Sequence, residues 1–569
     1  MRWSETYIPT LREDPADAEA ASHRLLVRAG YIRQLMAGHY TLLPLAVRVR
    51  AKVIEVIRQE MHRIGGQELL LPAMHPAEIW RRTGRWEAMG EELFRLRDRR
   101  GADLALGMTH EEIFATLARE LRSWRELPQV WFQFQTKFRD EPRPKGGLLR
   151  VREFTMKDSY SFDLDAAGLD RSFAAHHAAY TRIFARLGIP TIAVQASSGS
   201  MGGSDSVEFM CPSPSGEDLV VRCGACGYAA NVEKATAALP EADDGAGLPA
   251  PERFPTPDAR TIDDLARQFD APADRQVKTL VYVLDGQLTL VLLRGDHNLV
   301  EQKLADATGA TVLRPAHPDE IRQALGASPG SLGAVGVTRL PVVADEALRG
   351  RRGMVTGANT DDVHLRGVDV DRDIRAGRWA DLREVTAGEA CPTCGQPLEV
   401  LRAIEVGHIF KLGYKYADAL DLSVLAADGS RVRPVMGSYG IGVERAMAAV
   451  VERHHDDAGI AWPVQVAPFA VALVLLDPAD PDVGKVGEAL DEQLTAAGLE
   501  VLVDDRPDRP GVKFRDVELV GIPYRVTIGA RDLANGTVEL VHRASGQKQA
   551  LPAGAVADHL LAQVTAATP

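Results

Sequence analysis

Between Phe138 and Asp158 the chain reads FRDEPRPKGGLLRVREFTMKD. Arg139 and Glu141, two apart, share one face if this segment begins as a strand; PRPKGG reverses the chain, and Arg150, Arg152, Glu153 and Phe154 return on the partner strand. Two arginines converging beside an aromatic ring suit a nucleotide, because guanidinium forks match phosphate oxygens and a ring face stacks a base. Taken by itself, a solvated arginine-rich hairpin is the plainer reading. GSYGIGVERAM (437–447) then sets glycines before a helix carrying Glu444 and Arg445 near its start. Glycine lets backbone approach a ligand closely and arginine reaches a polyphosphate, although close helix–strand packing explains such glycines equally well. The G-x-x-x-x-G-K-[ST] phosphate loop and the dinucleotide fingerprint are both missing. Cys223-Gly-Ala-Cys226 and Cys391-Pro-Thr-Cys394 each have the spacing of a zinc knuckle, with reduced, unliganded thiols as the alternative; Cys211 is left over and expected to be packed.

The elements that must position these residues fall into four stretches. Val53, Ile57, Met61 and Ile64 recur at helical spacing, which predicts an amphipathic helix from about Leu45 to Ile64, stopped by Gly65 and Gly66 and followed by a strand, QELLLP, ending at Pro72. Pro, Ala, Asp and Gly dominate 235–258, a flexible approach to an inserted unit. Within it, VKTLVYVLDGQLTLVLLRGD (277–296) is a hairpin about Asp285-Gly286, and helices are expected near 299–308 and 317–325, giving an α+β unit. Strands LEVLRAIEV and HIFKLGYKY follow within 398–466, then a glycine-rich turn into a helix; from 467 a strand AVALVLLD opens a small α/β unit. No internal repeat is present.

The whole sequence has 569 residues, 45% hydrophobic and 25% charged, the balance of an ordinary globular protein of about three or four domains. Its longest apolar run, Phe469 to Leu476, is far short of the ~20 residues of a spanning helix, and the first residues lack the apolar stretch of a secretory leader. A formal net charge of −13 weighs against a DNA-coating surface while leaving room for a local basic site. Five cysteines, four in two pairs, suit a reducing cytoplasm better than extracellular bridges.

In order along the chain, these segments resemble the three signature motifs of class II aminoacyl-tRNA synthetases. The helix and strand ending at Pro72 resemble the first, which in that family builds a dimer interface. Phe138-Arg139-Asp140-Glu141 with Arg150, Phe154 and Asp158 resembles the second, and Gly440-Ile441-Gly442-Val443-Glu444-Arg445 the third. MRWSETYIPTLRE, GMTHEE (107–112), SSGSMGGSDSVEF (197–209), EVGHIFKLGYKY (405–416) and DDRPDRPGVKFRDVELVGIPYRVTIG (504–529) are similar to the bacterial prolyl branch, over nearly the whole chain. Met108 stands where proline is commoner and Lys411 where glutamine is frequent; Lys411 adds a cation on the nucleotide side of the pocket.

The resemblance implies a multidomain α/β and α+β protein: an antiparallel-sheet catalytic core over 1–222 and 397–466, an inserted editing domain over 223–396 with the CxxC pairs at its edges, and an α/β anticodon-binding domain over 467–569. It implies a cytoplasmic, homodimeric ligase that activates L-proline with ATP and Mg²⁺ and charges tRNA(Pro), with no membrane or DNA partner. Arg139 would hold the α-phosphate together with the amino-acid carboxylate, Glu141 the adenine or ribose side, Phe154 the base, and Arg150 and Arg445 the γ-phosphate, beside Gly440 and Gly442. Thr109 and Glu111 would receive the proline nitrogen and His408 would wall the pocket; Glu405 would touch the metal or form a buried ion pair. Lys278, Gly330, Ser331, Gly333, Asp345 and His364 match editing-pocket elements for hydrolysing mischarged Ala-tRNA(Pro). Four cysteines would hold a structural zinc if the insertion leaves and returns at one place. Arg506, Arg509, Lys513 and Arg515 would form an RNA contact or a solvated helix face. Two other readings compete. A regulatory, RNA-binding paralogue without aminoacylation would lose phosphate-binding arginines, which are present here. A threonine enzyme would need a Cys/His zinc set inside the catalytic core, and the sequence has none there.

Overall fold

The computed structural model describes all residues except 17, 198–200, 204, 242–243, 246–247 and 568–569. Part of the SSGSMGGSDSVEF segment therefore lies outside the described residues. The chain forms two compact units, one of residues 1–194, 200–218 and 402–569, the other of 195–199 and 219–401.

In the first unit, helix α1 (Pro44–Arg63) has Pro44 in its first turn and buries Leu45, Ala46, Val49, Val53, Ile57 and Met61 on one stripe. Gly65 leaves the helix at φ +83°, a conformation that favours glycine. The following strand β1 is shorter than the sequence suggests, Gln67–Glu68, because Leu71 turns its N–H to the Gln133 side chain and leaves the ladder. β1 runs parallel to β2 (Gln129–Phe138), which pairs antiparallel with β3 (Glu153–Asp163). Helix α2 (Ala166–Arg186) follows, and then β4 (Asp205–Pro212). The two expected strands of 398–416 are one 15-residue strand, β5 (Glu399–Gly413), paired antiparallel with β4 and with β6 (Val435–Gly442). β6 closes onto β3 and passes straight into helix α3 (Val443–Arg453).

Three expectations are corrected by this register. The strand β2 ends at Phe138, so Arg139 and Glu141 are not side by side on a strand; they lie in a tight turn in which the Glu141 N–H donates to the Arg139 carbonyl at 2.7 Å. Likewise β3 begins at Glu153, which leaves Arg150 in the connection. The glycine-rich stretch before α3 is strand instead of turn, since Gly440 and Gly442 pair with Asp158 and Met156 of β3.

Also within the first unit, residues 471–475, 501–504 and 524–528 form a parallel sheet extended by antiparallel strands 537–542 and 548–552. Val471, Leu473, Leu490, Leu494, Val526 and Leu560 form its core against the helices of 481–496 and 556–566.

The second unit contains a five-stranded sheet in the order 313–315, 277–284, 287–294, 342–345, 378–380, and a three-stranded sheet of 252–255, 363–368 and 354–360. Its hairpin turns at Asp285 (φ +45°) and Gly286 (φ +87°), as an Asp-Gly pair favours, and helices Glu301–Thr308 and Pro318–Leu325 flank the larger sheet.

Candidate active site

The segment after Gly107 and the helix Glu111–Ala118 carry Thr109 and Glu111 to the face of β3 and β6. Glu111 is 1% exposed; its Oε2 accepts from Arg85 Nη1 at 3.1 Å, and its Oε1 from Ser438 Oγ at 3.0 Å and Tyr160 OH at 3.4 Å. The other arm of Arg85 donates to Thr109 Oγ1 at 2.8 Å, and Nη1 also reaches Glu112 at 3.0 and 3.1 Å. Burial pushes both carboxyls up. For Glu111 the Arg85 charge and the Thr109 hydroxyl outweigh burial and hold it below the ordinary range, whereas Glu112 stays raised beside its charged neighbour. Next to them Lys137 pairs with Asp158 at 2.8 Å and meets His110 Nδ1 at 2.9 Å. Arg85 is the residue that sequence reading missed. It sits 26 positions before Glu111 with no periodic relation to it, and its one local signal is its place between Trp80 and Trp86.

Arg139 lines the same cavity of about 240 Å³, together with Phe154, His408, Gly440 and Arg445. Its guanidinium carbon lies 5.3 Å from the Phe154 ring centre, its buried Nε has no hydrogen-bond partner, and it makes no ion pair among the described residues. Burial and the neighbouring Arg445 press its pKa down. The other two arginines are already engaged. Arg150 pairs with Glu141 and Glu217, and Arg445 with the Leu149 carbonyl (2.9 Å) and Glu405 (3.2 Å). Burial opposes the Glu405 charge, but His408, Arg445 and Arg139 outweigh it and hold the carboxyl at about 2. His408 is held between Glu405 (3.0 Å) and Ser206 (2.5 Å) and stacks on Phe410 at 3.8 Å, so it walls the cavity as a fully engaged ring. A Cβ built on Gly440 or Gly442 meets nothing closer than 3.4 Å, so these glycines keep the cavity open without being needed for protein packing.

The family description "tRNA synthetase class II core domain (G, H, P, S and T)" matches residues 94–454, and "Anticodon binding domain" matches 470–563. Among curated relatives, proline–tRNA ligase of Anaeromyxobacter sp. (strain Fw109-5) is 57% identical over 98% of each chain. Those of Acidobacterium capsulatum, over 99% of each chain, and of Nitratidesulfovibrio vulgaris strain Hildenborough, over 97% of this chain and 96% of that protein, are each 48% identical. The chain belongs to the proline–tRNA ligase family.

Two residues that depart from the family pattern are accommodated by this member's own structure. Lys411 is neutralised by Asp170 (2.8 Å) and Asp205 (3.0 Å), so it supplies no free cation to the nucleotide side. Met108 is packed with Ala77, Trp80 and Trp86. The leftover Cys211 is fully buried and its thiol is pushed up to about 11 by that burial.

The inserted unit of this proline–tRNA ligase relative gathers some of its expected residues. Gly330, Ser331, Gly333 and His364 lie together: a Cβ on Gly333 would strike the Gly357 carbonyl at 1.9 Å, and Gly357 pairs with His364 across the small sheet. Asn359 clamps Gly333 with a bond each way at 2.9 Å, and Thr256 Oγ1 sits 2.6 Å from His364 Nδ1. Lys278 and Asp345 are held by other partners. Lys278 donates to the His297 carbonyl (2.5 Å), and Asp345, fully buried, accepts the Ala347 and Leu382 amides at 3.0 and 2.8 Å. No hydrogen bond or ion pair joins either to the His364 group among the described residues.

In the anticodon-binding region the four bases divide. Arg506 is committed to Asp504 and Asp516 and lies 4.1 Å over Trp3, while Lys513 is buried and donates to the Leu475 carbonyl at 2.6 Å. Arg509 and Arg515 remain exposed.

Proposed function

We propose that the chain activates L-proline with ATP and transfers it to the 3′ end of tRNA(Pro). The observation that carries the reading is Arg139, a guanidinium without an ion pair among the described residues, placed in one cavity with a charged, oriented Glu111 and with Arg445. Glu111 and Thr109 receive the ring ammonium of proline, and Arg139 takes its carboxylate together with the α-phosphate. The carboxylate oxygen then attacks the α-phosphorus in line, the bond to the bridging oxygen breaks, and pyrophosphate leaves with the electron pair. Arg139 is aimed at the charge that builds on the α-phosphoryl oxygens. Arg150 and Arg445 exchange their carboxylate partners for the γ-phosphate, and Phe154 stacks the base, with Glu141 at its edge. In the second step the terminal ribose hydroxyl of tRNA attacks the activated carbonyl and AMP departs.

The family uses ATP with Mg²⁺. The donors fit: oxygens of Glu405 and Glu208 lie within 4.8 Å of one another, and a hard cation on a nucleotide takes one or two carboxylates plus phosphate oxygens. When bound, Mg²⁺ neutralises the leaving pyrophosphate.

Editing, tRNA recognition through residues 467–569 and homodimer formation complete the proposal. A pocket that admits proline cannot exclude alanine by size, since each missing methylene gives about 1–3 kcal/mol of discrimination. Residues 223–396 are assigned the hydrolysis of Ala-tRNA(Pro). Here Lys278 holds the terminal adenosine phosphate, and His364, whose ring is tied to Thr256 and the Gly330 backbone, shapes the glycine turn. Asp345 serves as a buried cap. The proposed setting is cytoplasmic; among the described residues no helix is long and apolar enough to cross a membrane.

Pyrophosphate exchange with a panel of amino acids tests the first step. Exchange with proline is expected, and exchange with another amino acid but none with proline refutes the assignment. Lys278→Ala should abolish Ala-tRNA(Pro) deacylation while exchange persists; undiminished deacylation removes the editing role.

A further inference from the structure

We propose that Cys223, Cys226, Cys391 and Cys394 form a closed zinc site that clasps the chain where it enters and leaves the inserted unit. The two pairs are 165–171 positions apart, yet Cys223 Sγ lies 3.5 Å from Cys394 Sγ and Cys226 Sγ 3.6 Å from Cys391 Sγ. All four sulfurs lie within 4.8 Å of one another. A disulfide needs sulfurs about 2.05 Å apart, whereas a tetrahedral ion with Zn–S bonds of about 2.3 Å sets them about 3.8 Å apart. The observed spacing is far too long for disulfides and close to that of the tetrahedron.

The backbone supplies a second, independent observation, because the two turns are copies of each other. Each is Cys-x-x-Cys-Gly. The N–H of Cys223 donates to the Tyr228 carbonyl and that of Cys391 to the Gln396 carbonyl, both at 2.8 Å. Gly227 and Gly395 return their N–H groups to the carbonyls of Cys223 and Cys391 at 3.3 and 2.9 Å, with φ of +80° and +74°. Neither glycine has a neighbour that a Cβ would strike, so it is the left-handed backbone that calls for glycine there. The turns also aim amides at sulfur: Ala225 at Cys223, and Thr393 at Cys391 at 3.4 Å. Two such turns, brought face to face, hold four soft ligands with amide donors behind them, which is the donor set of a structural zinc.

The place of the site gives it a role. Cys223 directly follows the strand Asp218–Arg222, and Cys394 precedes Glu399, where β5 begins. Cys223 and Cys391 pack with Val221, Ala230, Val385 and Leu398 in a small apolar cluster. The strands on either side are already joined, by sheet pairing and by Arg222 to Glu399 at 2.8 Å, and a metal there extends that junction into the two turns that open and close the insertion.

Full-length protein purified without chelator should contain about one zinc per chain, and replacing zinc by Co²⁺ should give the absorption of tetrahedral thiolate cobalt. Cys226→Ser and Cys394→Ser, at the two exposed ligand positions, should each lower bound zinc at least about tenfold. Returning zinc to chelated wild type should raise its melting temperature, and should not do so for the variants. Zinc below about 0.1 per chain with four freely titrating thiols, iron in its place, or two disulfides in freshly purified protein would overturn the proposal. The metal count does not depend on what the inserted unit hydrolyses, so it stands or falls apart from the editing assignment.

Discussion

Arg139 Nε is buried with no hydrogen-bond partner among the described residues, an arrangement that costs about 1–3 kcal/mol in a folded protein. Its neighbours Arg150 and Arg445 are both paired, whereas Arg139 makes no ion pair among the described residues and so is the arginine of the cavity open to an incoming anion. Arg139→Ala should reduce proline-dependent pyrophosphate exchange by about 10²–10³-fold, the loss expected for a donor aimed at transition-state charge. A loss below tenfold in a well-folded variant would leave Arg139 outside the chemistry. Arg85 acts one step further back, by holding Thr109 Oγ1 and Glu111 Oε2 with separate nitrogens. Lysine keeps the charge but not the fork. Arg85→Lys should therefore raise the proline KM about tenfold or more with the ATP KM little changed, a split that general destabilisation would not produce. An unchanged proline KM would reduce Arg85 to a packing residue.

At the scale of elements, the site is built where β6, antiparallel to β3, presents glycine on the cavity side. The register sets Gly440 opposite Asp158 and Gly442 opposite Met156, and Glu444 at the start of α3 locks the junction by binding Arg50 (2.9 Å) and the Thr155 amide (2.7 Å). The added side chain at Gly442 would point into the cavity and meet Arg445 Cβ at an ordinary 3.5 Å. Gly442→Val should thus keep the melting temperature within a few degrees while the ATP KM rises at least about tenfold, about 1.4 kcal/mol. Unchanged ATP kinetics would show that the nucleotide does not pass this strand.

At the scale of the molecule, the packing of α1 bears on assembly. Its apolar stripe is spent inside the chain, against α2 and α3. The segment after it is different: Leu70 is 74% and Met74 53% exposed, one on either side of Pro72. Apolar side chains of this size at the proposed first-motif interface suit two-fold self-pairing, the commonest closed assembly. Light scattering should return about 124 kDa, twice the 61.8 kDa chain, and Leu70→Asp with Met74→Asp should shift it toward one chain. A wild-type particle of one chain at micromolar concentration would remove the dimer from the proposal.

Much of this was legible without coordinates, for a physical reason. Helix α1, the Asp285-Gly286 hairpin and the three ordered motifs depend on local periodicity, turn chemistry and residue spacing, and these are written along the chain. Charge partners are not, because an ion pair needs only closeness in space. The sequence therefore could not tell that Lys411 and Arg506 are neutralised by aspartates, that Lys513 donates to a buried carbonyl, or that Asp345 spends both oxygens on amides. Nor could spacing say that Arg139 leaves the strand or that Arg85 stands behind Glu111. Residue types and their order determined which groups the chain has for its chemistry; the sheet register and the closing of long loops decided which of them face the cavity free, and which are consumed in holding the others still.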